Sequence, residues 1–137
     1  MELIYTWSEL KAIKDRIEQI GEQTDSMTLS DATRYLYNKL WSERHHLEDV
    51  WDEKIKQVIP DVGMPCTVRW YSDSSGAHVE KILSPKTIQV KCDSLYSCTK
   101  IFTYRRNGRW VEKGSTSRDW STRLSLGYRH DYYDMSF

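Results

Sequence analysis

Cysteine, proline and phenylalanine are scarce in this chain, and it has no net charge. Three Cys, three Pro and two Phe are spread over 137 residues, and twenty Lys and Arg balance twenty Asp and Glu. The cysteines are Cys66, Cys92 and Cys98. An odd number with no C-x-x-C pair argues against a secreted disulfide framework, so reduced thiols are expected. No apolar run approaches the roughly 18 residues of a membrane span. The opening Met1-Glu2-Leu3-Ile4 does not look like a secretory signal. The expectation is a soluble cytoplasmic protein with no membrane partner. At this length a full α/β barrel, which needs about 250 residues, is excluded. The chain also lacks a phosphate loop, a dinucleotide fingerprint and a G-x-S-x-G elbow. No cofactor and no enzymatic activity are therefore expected.

Trp and Tyr are abundant, at six and nine residues. Each joins an apolar body to a polar handle, which suits half-buried and contact surfaces as well as the core of a small barrel. The zero charge conceals an asymmetry. Residues 1–60 carry twelve acidic and eight basic side chains, and residues 61–137 carry eight and twelve, so the halves stand near −4 and +4. The joint is Ile59-Pro60-Asp61-Val62-Gly63, where proline disfavours helix at Ile59.

Residues 1–60 read as a helical hairpin. Trp7, Leu10, Ile13, Ile17 and Ile20 step by three or four and form one apolar stripe. Thr6 and Glu9 have capping-box spacing, and Gly21 fits a helix end. Glu22 to Met27 is a polar link, and Thr28-Leu29-Ser30-Asp31 offers a second start. Leu36, Leu40, Leu47, Trp51, Ile55 and Val58 then carry a narrow stripe to the proline. That predicts a helix of about 27 residues, or about 40 Å. A stripe so narrow suggests a coiled-coil seam. The first helix is too short to cover it, so either the second half of the chain or a second copy is expected there, the latter as a homodimer through the helices.

Residues 61–137 read as a small antiparallel β-unit. Cys66–Tyr71, His78–Leu83, Thr87–Cys92, Lys100–Arg105, Arg109–Glu112 and Arg123–Leu126 are strand candidates. Ser72–Gly76 and Ser84-Pro85-Lys86 are expected turns. Asn107-Gly108 predicts a hairpin turn of type I′. The expected fold is α+β: an N-terminal helical hairpin at 1–60, followed at 61–137 by a small antiparallel SH3-like β-barrel. The SH3-like assignment rests on residues 62–92. Their glycine-led entry, aromatic strand Val68-Arg69-Trp70-Tyr71, acidic turn, Ala77-His78-Val79 and Thr87-Ile88-Gln89-Val90 resemble the start of SH3-like and Tudor-like barrels. Tudor-like barrels keep cage aromatics where this chain has Trp70 and Tyr71, and such a cage captures methylated side chains.

A second resemblance covers the C-terminal part. Gly63-Met64, Tyr71-Ser72-Asp73, Arg106-Asn107-Gly108-Arg109-Trp110-Val111, Leu124-Ser125-Leu126-Gly127 and Tyr132-Tyr133-Asp134-Met135-Ser136-Phe137 look like a group of small uncharacterised phage and prophage proteins. This resemblance implies a phage accessory protein acting in the cytoplasm of a host cell.

Few constellations suggest chemistry. His45 and His46 are adjacent on a helix and point about 100° apart, unlike the i, i+4 pair of a helical zinc site. Cys66, Cys92, Cys98 and His78 match no standard finger spacing, and Cys92 shares a strand face with Ile88 and Val90. No metal is expected. Ser125, His130 and Asp131 lie close in sequence without a recognisable oxyanion frame, and Cys98–His130 is a bare pairing. The richest feature is basic and aromatic. Arg105, Arg106, Arg109, Lys113, Arg118, Arg123 and Arg129 are interleaved with Tyr104, Trp110, Trp120 and Tyr128. Arginine forks bind phosphate and carboxylate bidentately, and aromatic faces stack on bases and on guanidinium groups. Tyr128, Tyr132, Tyr133 and Phe137 crowd the last ten residues.

The expected partner-binding residues are therefore Arg105, Arg106, Arg109, Trp110, Trp120, Arg123, Tyr128, Tyr132 and Tyr133. The expected function is a non-enzymatic phage accessory binding protein, an inhibitor of a host defence protein of the anti-CRISPR kind, acting by occlusion. Its expected partner is a host protein such as a defence nuclease or its complex. The alternative is a nucleic-acid-binding module using the Arg105–Arg129 surface.

Overall fold

The computed structural model describes residues 2–70, 73–93, 99–115 and 122–132. Two helices precede a closed barrel of six antiparallel strands, which makes the fold α+β. The chain forms two compact units, Ser8–Ile55 and Met1–Trp7 with Lys56–Phe137.

In the helical unit, α1 spans Trp7–Asp25 and α2 spans Asp31–Lys54. Helix α1 runs past Gly21, which does not end it. A Cβ at Gly21 would stand 3.6 Å from the Arg44 guanidinium, an ordinary contact with the end of that side chain. Thr24 donates its hydroxyl to the Ile20 carbonyl at 2.9 Å, close to the end of the helix. Helix α2 starts where its N-cap predicts. Ser30 accepts from the Thr33 amide at 3.3 Å, and Thr33 Oγ1 accepts from the Ser30 amide at 3.0 Å. Its end comes earlier than Pro60: a short 3₁₀ turn, Ile55–Gln57, follows, and Val58 is extended rather than helical.

There is no coiled coil. Helix α2 has no buried residue, and Leu36 on its stripe is 50% exposed. A knobs-into-holes seam would enclose such a side chain. The rings of α2 instead meet one another at a tilt along their own helix. Tyr37 and Trp41 lie 6.0 Å apart, Trp41 and His45 5.5 Å, and Arg44 sits 5.2 Å over Trp41. Between the helices, Arg16 forks onto Glu43, with Nε donating to Oε1 at 2.9 Å and a terminal nitrogen to Oε2 at 3.0 Å. This pair holds the Glu43 carboxyl below its ordinary range, chiefly through the hydrogen bond from Arg16.

In the other unit the first residues pair in parallel with those after the 3₁₀ turn. Ile4 donates to the Gln57 carbonyl at 2.9 Å, and Ile59 to the Tyr5 carbonyl at 2.7 Å. Val58 is wholly buried there. The barrel strands are β1 Pro65–Arg69, β2 Ser74–Ser84, β3 Thr87–Cys92, β4 Thr99–Tyr104, β5 Trp110–Glu112 and β6 Arg123–Leu126. Each pairs with the next, and β6 closes on β1. Closure removes the open edges that would invite other strands.

Alternation puts one set of side chains inside. Cys66, Val68, Ala77, Val79, Ile88, Val90, Cys92, Phe102, Tyr104, Trp110, Leu124 and Leu126 are all buried. Register stacks them: Cys66 faces Ala77 and Leu126, Val68 faces Leu124, Ile88 faces Phe102, and Trp110 faces Tyr104 and Leu124. Full burial of one such side chain contributes about 1.5–3 kcal/mol. The small residues Ser74-Ser75-Gly76 are strand, not the turn that their polarity suggests, and the Trp70 amide donates to the Asp73 carbonyl at 2.9 Å. Strand β2 is long, and its register with β3 shifts between Val79 and Lys81 and again between Ile82 and Ser84.

Two sequence expectations need local correction. The Asn107-Gly108 turn is not type I′, which needs positive φ at both residues. Only Gly108 has it, at 80°, and Arg105 pairs with Arg109 around a three-residue loop. The thiols are not all reduced. Cys92 is disulfide-bonded, and Cys98 lies outside the described residues. Cys66 is free, and burial pushes its thiol up to about 12, with the Asp93 charge adding to the rise.

Candidate functional site

Strand alternation that sends Val68 and Leu124 inward sends their neighbours Arg69 and Arg123 outward. The β1–β6 register then sets Arg69 directly opposite Arg123. Like charges facing one another across strands destabilise a sheet, so this pair stands out on the barrel surface.

The two arginines line a cleft of about 330 Å³ with Trp70, Asp73, Ser74, His130 and Tyr132. Arg69 is fixed by neutral partners. Its Nε donates to Ser125 Oγ at 3.0 Å, a terminal nitrogen donates to the Tyr128 hydroxyl, and its guanidinium lies 5.6 Å from the Tyr128 ring centre. Arg123 Nε is buried and makes no hydrogen bond. A buried donor without an acceptor is costly, the more so when charged. Neither arginine has a carboxylate partner among the described residues.

The far wall of the cleft comes from the segment after β6, which is strapped across β1 and β2. Ser74 and Tyr132 exchange backbone hydrogen bonds at 2.8 and 3.0 Å, and Ser74 Oγ donates to the His130 carbonyl at 3.0 Å. The Tyr128 carbonyl accepts from Thr67 Oγ1 at 2.7 Å, and Asp131 accepts from the Gly76 amide at 2.9 Å. The strap passes close over Gly76, where a Cβ would stand 3.2 Å from Arg129 Cβ. Asp93 secures the same strap, 2.6 Å from His78 Nδ1 and 3.6 Å from Arg129 Nε.

Neither a family model, nor a curated protein, nor a solved structure matches this chain.

The expected partner-binding residues separate into four groups. Arg123 and Tyr132 line the cleft, and Tyr128 reaches it through Arg69. Arg105, Arg106 and Arg109 belong to the β4–β5 hairpin and do not line the cleft. There the Arg105 side chain donates to the Ser115 carbonyl at 2.9 Å, while Arg106 and Arg109 are exposed. Trp110 is 4% exposed inside the barrel, with its ring 5.1 Å from that of Tyr104. Trp120 and Tyr133 lie outside the described residues. Arg69, Asp73, Ser74 and His130 complete the cleft and were not singled out as partner-binding. The signal for Arg69 is its place between inward Val68 and the flagged Trp70.

The other constellations are placed as follows. Ser125 Oγ accepts from Arg69 rather than from an imidazole. His45 stands 3.8 Å from Glu48. Cys66 and Cys92 point into the barrel on either side of Ala77. Among the described residues no three metal-ligating side chains cluster. No described helix is long and apolar enough to cross a membrane. Two arginines beside Trp70 also make the cleft a poor cage for a methylated cation, since like charges repel.

Proposed function

We propose that the protein is a non-enzymatic binding protein. Its barrel cleft seizes an anionic group of a partner and thereby occludes the partner's own site. The observation that carries this reading is the opposed pair Arg69 and Arg123, half-buried and with no carboxylate ion-pair partner among the described residues. An anion in the cleft would take hydrogen bonds from the guanidinium groups' outer nitrogens and screen the repulsion. The phage-like C-terminal part supports a target in the host cell. On this reading the protein inhibits a host defence protein, such as a nuclease or its complex.

Affinity capture from a lysate of the source cell tests this. Wild-type protein is expected to retain a partner that the charge reversal Arg123→Glu releases. A partner held equally by both would remove the cleft from the binding surface.

A further inference from the structure

We propose that the cleft's ligand is single-stranded nucleic acid, with one phosphodiester held between Arg69 and Arg123 and an adjoining base stacked on Tyr132. This rests on the reading of the cleft as an anion site and names its ligand class.

Three observations favour a nucleotide over an acidic peptide. The first is the arginine pair. Phosphate offers several acceptor oxygens, so it can bridge two guanidinium groups that face one another. Arg69 is held by Ser125 and Tyr128, which presets its position. The Arg123 side chain has no hydrogen bond or ion pair among the described residues, which leaves its fork to the ligand.

The second observation is aromatic. Trp70, His130 and Tyr132 line the same small cleft as the two arginines, and Tyr132 is 55% exposed. Its backbone is fixed to Ser74 on both sides, so its ring is presented from a firm support. Ring faces accept any base, whereas an acidic peptide would gain little from them.

The third observation is size. At about 330 Å³ the cleft is at the small end of ligand pockets. It suits one nucleotide and is too small to seat a duplex. Bases within a duplex are stacked on each other and cannot reach Tyr132 without being splayed out. The surplus of basic residues over 61–137 supplies the long-range attraction for a strand.

The experiment is fluorescence anisotropy on the full chain with labelled mixed-sequence strands of about twelve nucleotides, near 50 mM salt. DNA and RNA single strands, the matching duplex and a polyglutamate peptide are compared. Binding to a single strand is expected to exceed binding to duplex and to polyglutamate. Arg123→Ala is expected to weaken it about tenfold or more. Tyr132→Ala, at an exposed ring whose backbone bonds are retained, is expected to cost about tenfold. Arg106→Ala, on the separate hairpin, is expected to stay within about threefold. Circular dichroism confirms that each variant is folded, and Tyr132→Ala carries the test if Arg123→Ala is not.

No binding to any strand would overturn the ligand class. If Arg123→Glu still releases a captured protein, the occlusion reading survives that failure. Tighter binding to polyglutamate would overturn it in favour of an acidic protein surface. Loss with Arg106→Ala but not with Arg123→Ala or Tyr132→Ala would overturn the placement in the cleft.

Discussion

The barrel and the helical pair hold together differently. The barrel encloses a continuous set of apolar side chains at zero or near-zero exposure, from Cys66 on β1 to Leu126 on β6. Helix α2, at 24 residues, encloses none. In the helical unit local devices are conspicuous: the Ser30 capping box, tilted ring pairs along α2 and one Arg16–Glu43 fork. A closed sheet must bury its inner face, because closure leaves nowhere else for those side chains. A helix satisfies its own backbone, so it tolerates an uncovered stripe. The lesson is that periodicity predicts an element more reliably than it predicts what will cover that element.

The sharpest way to break this comparison is to delete one side chain from each unit. Phe102→Ala removes a fully buried ring from the barrel and is expected to cost about 3–5 kcal/mol in urea unfolding. Leu36→Ala removes a half-exposed side chain from α2 and is expected to stay within about 0.5 kcal/mol. Equal losses at both positions would show that α2 is as well covered as the barrel.

The barrel interior makes a second prediction at Cys66. Burial raises this thiol from 9.0 to about 12, so its protonated form is favoured by folding. The resulting stability is intact below pH 9 and is lost as pH rises toward 12. Native protein at pH 8 is expected to resist thiol alkylation at Cys66, and unfolding in urea to expose it. Rapid native labelling there would mean that the barrel opens.

A third, smaller effect sharpens the contrast between the barrel's inside and outside. Arg123→Leu removes a like-charge cross-strand neighbour of Arg69 and is expected to raise stability by up to about 1 kcal/mol. Thermal unfolding in the absence of ligand measures it. A large loss would mean that Arg123 supports the fold and would weaken its assignment to a ligand.

The smallest effect belongs to the helices. The Glu43 carboxyl is depressed below 4.5 by Arg16, so this pair's contribution is present above that pH and lost as pH falls through the depressed value. Both partners are more than a third exposed, and salt weakens the pair. Helical circular dichroism is expected to decline slightly more in acid for wild type than for Glu43→Gln. Identical acid curves would show that the fork is idle.

Much of this architecture is legible locally. Thr87-Ile88-Gln89-Val90-Lys91-Cys92 alternates as a strand must, and it forms β3. Ser30-Asp31 begins α2, and Asn107-Gly108 turns the β4–β5 hairpin. Local signals failed where a residue's job is set by something distant. Gly21 looks like a helix end but lies against Arg44. Ser74-Ser75-Gly76 look like a turn but begin β2, where the strap from Gly127 to Tyr132 runs beside them. The candidate site was legible as residue types and not as a place. Arginine and aromatic enrichment pointed to 105–133, while the cleft takes only part of that segment and adds Arg69, Trp70, Asp73 and Ser74.

By itself, then, the sequence determined the kinds of element, their order and the inward and outward face of each strand, because hydrophobic period acts over neighbouring residues. Only the tertiary structure decided that β6 closes on β1, that Arg69 consequently faces Arg123, and that Tyr132 returns to Ser74. Those are pairings between distant strands, and their register is fixed by how the enclosed side chains fill the barrel together.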